Sequence, residues 1–213
     1  MTDRSIKTKC IIITGGDCDV IGSIPGNAYV IACDKGLQYA ENASIIPDLI
    51  VGDFDSVDAS TDLSAYENVV RFPKEKDDTD TMLAIKKAIS AGYRTIEIYG
   101  AFGGRMDHFI ANIQSASYAA EHGALCSLIS EDEIAFVFKN NTMIFEKKDG
   151  FSLSVFSLSD TCTGVTIKGT KYTTENAVLT CNFPLGVSNE FADEKASVTV
   201  GNGIILVMES KIR

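Results

Sequence analysis

Leu49-Ile50-Val51-Gly52-Asp53-Phe54-Asp55-Ser56 reads as a short buried strand that runs straight into two carboxylates. Three other Asp-rich stretches also follow apolar runs: Cys33-Asp34-Lys35-Gly36, Lys76-Asp77-Asp78-Thr79-Asp80 and Gly103-Gly104-Arg105-Met106-Asp107-His108. If these stretches leave neighbouring parallel strands, their carboxylates converge on one edge of one sheet. Like charges held that close persist only around a cation.

The rest of the chain supplies those strands. From residue 10 to residue 129, short β-branched runs at 10–14, 29–33, 49–51, 69–72, 96–99 and 125–129 alternate with amphipathic segments. Continuous apolar runs of this length suit a parallel sheet buried on both faces. Residues 79–91 place Met82, Ile85 and Ile89 on one helical face and stop at Gly92. Residues 107–121 place Phe109, Ile110 and Ile113 together and stop before Gly123, so both segments are expected as crossover helices. The pattern changes after about residue 132, where 133–138, 142–146, 151–157, 165–168, 177–182, 196–200 and 204–208 are strand-like. Turn signals such as Asn140-Asn141, Asp149-Gly150 and Gly201-Asn202-Gly203 separate them. The expected fold is α/β: a Rossmann-like parallel-sheet domain over residues 1–132, followed by a β-sandwich or barrel over 133–213. The junction is short, so the two units should be packed together and not tethered.

Composition narrows the partners. At 213 residues with 45% hydrophobic and 23% charged residues, the chain has the makeup of an ordinary globular protein. A formal net charge of −10 argues against a nucleic-acid partner, because phosphate backbones are held mostly by Lys and Arg. No apolar run reaches the roughly 18 residues of a membrane span, and the N-terminal residues lack a signal-peptide core, so a cytoplasmic protein without a membrane partner is expected. Cys10, Cys18, Cys33, Cys126, Cys162 and Cys181 form no C-x-x-C pair and read as reduced, mostly core thiols. Of the two histidines, His122 stands beside Gly123 where a helix should end, and reads as a C-terminal cap.

In open α/β sheets, ligands bind beyond the carboxyl ends of the strands, where all four Asp-rich stretches fall. Asp53 and Asp55 are alternate residues of an extended segment, so they point the same way and call for a cation. Hard oxygen ligands suit Mg2+ carried with a polyphosphate, which points to phosphoryl or pyrophosphoryl transfer. Asp34 or Asp78 taken alone fits a solvated loop better than a site, and Asp77, Asp78 or Thr79 fits a helix cap. Counted as a calcium loop, the stretch from Asp53 fails at Asp58 and Ser64, and that from Asp17 fails at Ala28. Gly100-Ala101-Phe102-Gly103-Gly104-Arg105 lies between a strand and a helix, and can bring backbone N–H groups and an Arg fork onto phosphate oxygens. It is neither a Walker A loop nor a dinucleotide G-x-G-x-x-G. Gly15-Gly16 is a weaker signal of the same kind.

These motifs, together with Pro47-Asp48 before the first stretch and Leu185-Gly186-Val187-Ser188-Asn189-Glu190-Phe191 near the end, resemble the bacterial thiamine pyrophosphokinase family. The resemblance runs through nearly the whole chain. It implies an N-terminal α/β catalytic domain, a C-terminal β-sandwich, a homodimer with thiamine bound between subunits, and conversion of ATP and thiamine to AMP and thiamine diphosphate. With it, Asp53, Asp55 and Asp80 become the expected Mg2+ ligands. Asp107 becomes either a further ligand or the partner that orients Arg105. Arg105 and Lys76 are expected on phosphate oxygens, with Gly15, Gly16, Asp34, Asp77, Thr79, Gly103, Gly104 and His108 near the nucleotide. Ser188 and Asn189 are expected to hydrogen-bond the aminopyrimidine of thiamine, and Phe191 offers a ring face or else sandwich core. Gly169-Thr170-Lys171-Tyr172-Thr173-Thr174 departs from the family's G-L-K-Y-P-L. Two alternatives are a pyrophosphokinase acting on a hydroxymethylpterin, and a non-catalytic nucleotide or divalent-cation sensor.

Overall fold

The structure is a computed structural model that describes residues 9–18, 21–22, 24–54, 63–73 and 77–212. The apolar runs of the first half form β1 (Lys9–Ile13), β2 (Ala28–Cys33), β3 (Leu49–Gly52), β4 (Val69–Arg71), β5 (Thr95–Tyr99) and β6 (Leu125–Ile129). They pair in parallel in the spatial order β6-β5-β1-β2-β3-β4. Ile11, Ile12 and Ile13 are all fully buried, which requires cover on both faces of the sheet. Alternation divides them: Ile12 enters the core beneath α2 (Asp80–Ser90) and α3 (Met106–Glu121), whereas Ile11 and Ile13 enter the opposite core beside α1 (Gly36–Asn42).

The crossover helices pack by small residues. Thr81, Ala84, Ile85 and Ala88 are the buried face of α2, and Asn112, Ser115, Ala116, Ala119 and Ala120 that of α3. The stripe expected from Phe109, Ile110 and Ile113 is corrected here: Phe109 and Ile113 flank the core, while Ile110 is 55% exposed. An alanine face lets the helix axis lie close to the sheet, and the longer side chains then fall at the margins. His122 stands at the C-terminal cap of α3, its Nδ1 2.8 Å from the Tyr118 carbonyl oxygen. Cys10, Cys33, Cys126 and Cys162 are buried thiols outside any disulfide, Cys18 is half-buried, and Cys181 is exposed.

The second half does not begin a separate sheet. β7 (Glu133–Lys139) pairs antiparallel with β6, and β14 (Ile204–Lys211), β9 (Phe151–Ser157) and β12 (Gly186–Glu190) follow it, which makes a sheet of ten strands among the described residues. A four-stranded sheet packs on this extension, in the order β11 (Thr174–Thr180), β10 (Thr161–Lys168), β13 (Lys195–Thr199), β8 (Thr142–Glu146). The architecture is therefore an α/β parallel-sheet unit joined to an antiparallel β-sandwich. Strands β7 and β14 serve both cores through their alternation. Ala135, Val137, Ile204 and Leu206 face the helices, whereas Phe138, Ile205 and Val207 face the sandwich. Among the described residues, no helix is long and apolar enough to cross a membrane.

Candidate active site

All the parallel strands end on the same edge of the sheet, and a cavity of about 450 Å3 opens there. Its walls come from the end of β1 (Thr14 to Asp17), the end of β2 (Cys33 to Lys35), the start of α2 (Thr79 to Thr81) and the loop between β5 and α3. Thr14 ties two of these walls together. It is 5% exposed, and its hydroxyl donates to the Gly100 carbonyl oxygen at 2.6 Å. Gly16 and Gly100 must be glycine because the chains pass too closely: a Cβ at Gly16 would lie 2.3 Å from the Gly100 carbonyl oxygen.

Asp34 lies immediately beyond β2 in a left-handed conformation, at φ 45°. Its N–H donates to the Val51 carbonyl oxygen at 3.1 Å, and its Oδ1 accepts the Phe54 N–H at 3.2 Å. Gly52 leaves room for that carboxylate, since a Cβ there would come within 1.8 Å of Asp34 Oδ1. Burial and hydrogen-bonding contact with the Asp80 carboxyl raise the Asp34 pKa to about 7, with the charge of Asp53 adding and the Phe54 N–H opposing. Asp53 follows β3, and Asp80 is the first residue of α2. Thus Asp34 interacts with both Asp80 and Asp53.

The loop before α2 is held in two ways. The Thr79 Oγ1 accepts the Met82 N–H at 3.2 Å and caps the helix. Lys86 Nζ donates to both oxygens of Asp78, at 2.8 and 2.7 Å. Thr79 is therefore a cap that also lines the cavity, Asp78 is paired with Lys86, and Asp77 is exposed. Asp55 and Lys76 lie outside the described residues.

On the opposite wall, Gly103 and Gly104 take consecutive left-handed conformations, at φ 74° and 63°. They turn the chain into α3, with Arg105 as its extended N-terminal cap residue. The Arg105 Nε–H donates to Asp107 Oδ1 at 3.1 Å and an Nη2–H to Oδ2 at 2.5 Å, which holds the Asp107 carboxyl below the usual carboxylate range. Asp107 is thus paired with Arg105. His108 also lines the cavity.

Sequence reasoning passed over Thr14, Asp17, Lys35 and Asn112. Asn112 is 8% exposed, lines the cavity and donates from Nδ2 to the Ala101 carbonyl oxygen at 3.0 Å. Its position one turn after His108 on α3 was the available signal. Lys35 stands inside the quoted Asp34 motif, with its ammonium 5.4 Å from the centre of the Tyr39 ring.

The residues expected to hold an aromatic ligand stand elsewhere. Ser188 is exposed on β12 at φ 55°, where its N–H donates to Ser154 Oγ at 3.0 Å. Asn189 is 6% exposed and its amide is engaged by backbone: Oδ1 accepts the Tyr172 N–H at 3.0 Å, and Nδ2 donates to the Tyr172 carbonyl oxygen at 2.7 Å. Asn189 thus braces the loop carrying Tyr172, leaving the Ser188 hydroxyl for any ligand. Phe191 packs half-buried against the sandwich core. None of the three lines the cavity. β12 is five strand spacings from β5, roughly 24 Å along the sheet.

The acidic wall fits a divalent ion carried in by a polyphosphate. The donors are hard carboxylate oxygens, and the Asp34 carboxyl, its pKa raised to about 7, lies against that of Asp80. Among the described residues, no group of three or more ligating side chains closes into a cage by itself.

The chain matches the family described as thiamin pyrophosphokinase, catalytic domain, over residues 23–126, and the family described as thiamin pyrophosphokinase, vitamin B1 binding domain, over residues 141–205. It is 29% identical over 213 residues to the thiamine pyrophosphokinase of Bacillus subtilis (strain 168), covering 93% of this chain and 97% of that protein. The crystal structure of thiamine pyrophosphokinase from Bacillus subtilis superposes with a TM-score of 0.85 at 28% identity, over 96% of this chain and 99% of that one. A thiamin pyrophosphokinase family protein from Enterococcus faecalis gives 0.79 at 27% identity, over 97% of this chain and 100% of that one. Thiamin pyrophosphokinase from Candida albicans shares the fold, with a TM-score of 0.77 at 17% identity over 96% and 90% of the two chains.

Proposed function

We propose, from the premise that the chain belongs to the thiamin pyrophosphokinase family, that it transfers the pyrophosphoryl group of ATP to the hydroxyl of thiamine. The observation that carries this reading is the cavity itself, with interacting carboxylates on one wall and a double-glycine turn with an Arg fork on the other.

The thiamine hydroxyl oxygen forms a bond to the β-phosphorus of ATP as the bond from that phosphorus to the bridging oxygen of the α-phosphate breaks. AMP leaves with the bridging oxygen, and the hydroxyl proton passes to solvent. The protein's part is chiefly to position the reactants and to offset charge on the phosphate oxygens. The Gly103-Gly104 turn and the Arg105 fork hold the polyphosphate, with Asp107 fixing the plane of the guanidinium. Lys76 is proposed on the same phosphates. Gly15 and Gly16 let the nucleotide approach the end of β1 closely. Thr79 and His108 line the cavity, and Asp77 is proposed near the nucleotide beside them.

Asp53, Asp55 and Asp80 are the residues that would hold Mg2+, and Asp34, in contact with Asp80, is proposed near the nucleotide. When bound, the ion neutralises the polyphosphate and polarises its β-phosphorus.

The acceptor site is proposed between two copies of the chain. Ser188 and the Phe191 ring sit too far from the cavity of their own chain to present thiamine to it, whereas a partner subunit's sandwich supplies the same residues from outside. A homodimer working in the cytoplasm completes this reading.

Formation of AMP from ATP that requires both thiamine and Mg2+ tests it. AMP formation with a hydroxymethylpterin and not with thiamine would reassign the acceptor. Nucleotide binding without turnover on either would leave a sensor.

A further inference from the structure

The double-glycine turn carries a carboxylate where a phosphate oxygen is expected. The Gly104 N–H donates to Asp17 Oδ2 at 2.9 Å, and the Cβ of any other residue at position 103 would fall 2.4 Å from that same oxygen. Asp17 belongs to the loop after β1, lines the cavity and is exposed.

Its bond is not what joins the two loops. At their bases the Thr14 N–H donates to the Tyr99 carbonyl oxygen at 2.9 Å and the Gly16 N–H to the Gly100 carbonyl oxygen at 3.1 Å, with the Thr14 hydroxyl adding its own bond to Gly100. Those bonds are backbone-based and Thr14 is buried. The Asp17 bond lies at the tip, in water, where a carboxylate exchanges partners at small cost.

We propose that Asp17 occupies the Gly104 N–H in place of a nucleotide phosphate oxygen and is displaced when the nucleotide binds, so that this side chain sets nucleotide affinity. The inference rests on the placement of the polyphosphate at the Gly103-Gly104 turn given above. A carboxylate oxygen and a phosphate oxygen are both anionic acceptors, and one N–H aimed into the cavity cannot serve both fully. The carboxylate also opposes the arriving polyphosphate by like charge. Removing it frees the donor and lowers the repulsion together.

The test titrates Mg·ADP into wild type, Asp17→Ala and Asp17→Asn by calorimetry, with 15N-glycine labelling of the full chain to follow the Gly104 amide. The expected result is a Gly104 resonance that shifts with nucleotide in wild type. Asp17→Ala should bind about three- to tenfold more tightly, and Asp17→Asn should fall between the two. The thiamine KM should stay unchanged, which a general loosening of the fold would not leave so. If Gly104 responds to nucleotide but Asp17→Ala binds equally or more weakly, Asp17 braces the turn and displacement is overturned. If nucleotide binds wild type without moving the Gly104 resonance, the polyphosphate placement has failed, and the inference falls with it.

Discussion

Glu209 is withdrawn from water and Asp34 half-withdrawn, and the chain treats them in opposite ways. In the sandwich half, the Glu209 side chain is 3% exposed on β14, and Lys148 places its Nζ 2.5 Å from Oε2. In the parallel half, Asp34 has another carboxyl, Asp80, in hydrogen-bonding contact, and Asp53 adds further negative charge. A carboxylate matched by a lysine of its own chain is finished when the protein folds. A carboxylate matched by another carboxylate is finished only by something from outside. The first arrangement is structural, and the second lies where the proposed cation and its polyphosphate would bind.

The largest effect should come from deleting one charge on the open side. Asp80→Asn or Asp53→Asn should lower turnover by about a hundredfold or more, read as AMP formation at saturating Mg2+. Their thermal midpoints without divalent ion should match or exceed wild type, because repulsion falls. Near-wild-type turnover in both would break the contrast, since the acidic wall would then be no more functional than the sandwich pair.

On the closed side the effects should reverse. Lys148→Met leaves the Glu209 charge buried and unmatched, at a cost of about 2 to 4 kcal/mol in urea-unfolding stability, with turnover per folded molecule retained. The double variant Lys148→Met/Glu209→Gln should recover most of that loss. A single variant as stable as wild type would mean that the pair closes nothing.

The smallest effect sharpens the contrast through pH. The folded-state pKa of Asp34 is raised from its usual range to about 7, so the folded protein holds this proton more tightly than the unfolded chain does. Its stabilising contribution is therefore complete below about pH 4 and disappears as pH rises through about 7. Discounted for a half-exposed carboxyl, the loss is about 1 to 2 kcal/mol, measurable by urea unfolding in chelator. Asp34→Asn should flatten this slope, and a slope unchanged in that variant would assign it to other groups.

Much of this was legible in the sequence because it is local. Ile11, Ile12 and Ile13 announce a strand covered on both faces, and Leu125–Ile129, Thr142–Glu146 and Phe151–Ser157 begin and end where their apolar runs do. Thr79 as a cap needs only its neighbours. The elements missed are those whose signal is not local. α1 opens on Gly36 with no side-chain cap and is seven residues long, so its propensity is weak, and it forms because Leu37 and Ala40 find a core to enter. β12 is a polar edge strand with a register irregularity between Gly186 and Asn189, and it shows neither an apolar run nor clean alternation.

The amino-acid sequence by itself determined that apolar strands would end in carboxylates and that an antiparallel half would follow the parallel one. Both follow from side-chain periodicity and from the residues that stop each run. Only the tertiary structure decided which groups meet. It set Asp34 against Asp80, Asp17 on the Gly104 N–H, and the Asn189 amide on the Tyr172 backbone. It also made one sheet of what reads as two domains, by pairing β7 with β6. Periodicity records which face of its own strand a residue takes, but pairing order and register depend on every strand at once, and those decide the neighbours of each side chain.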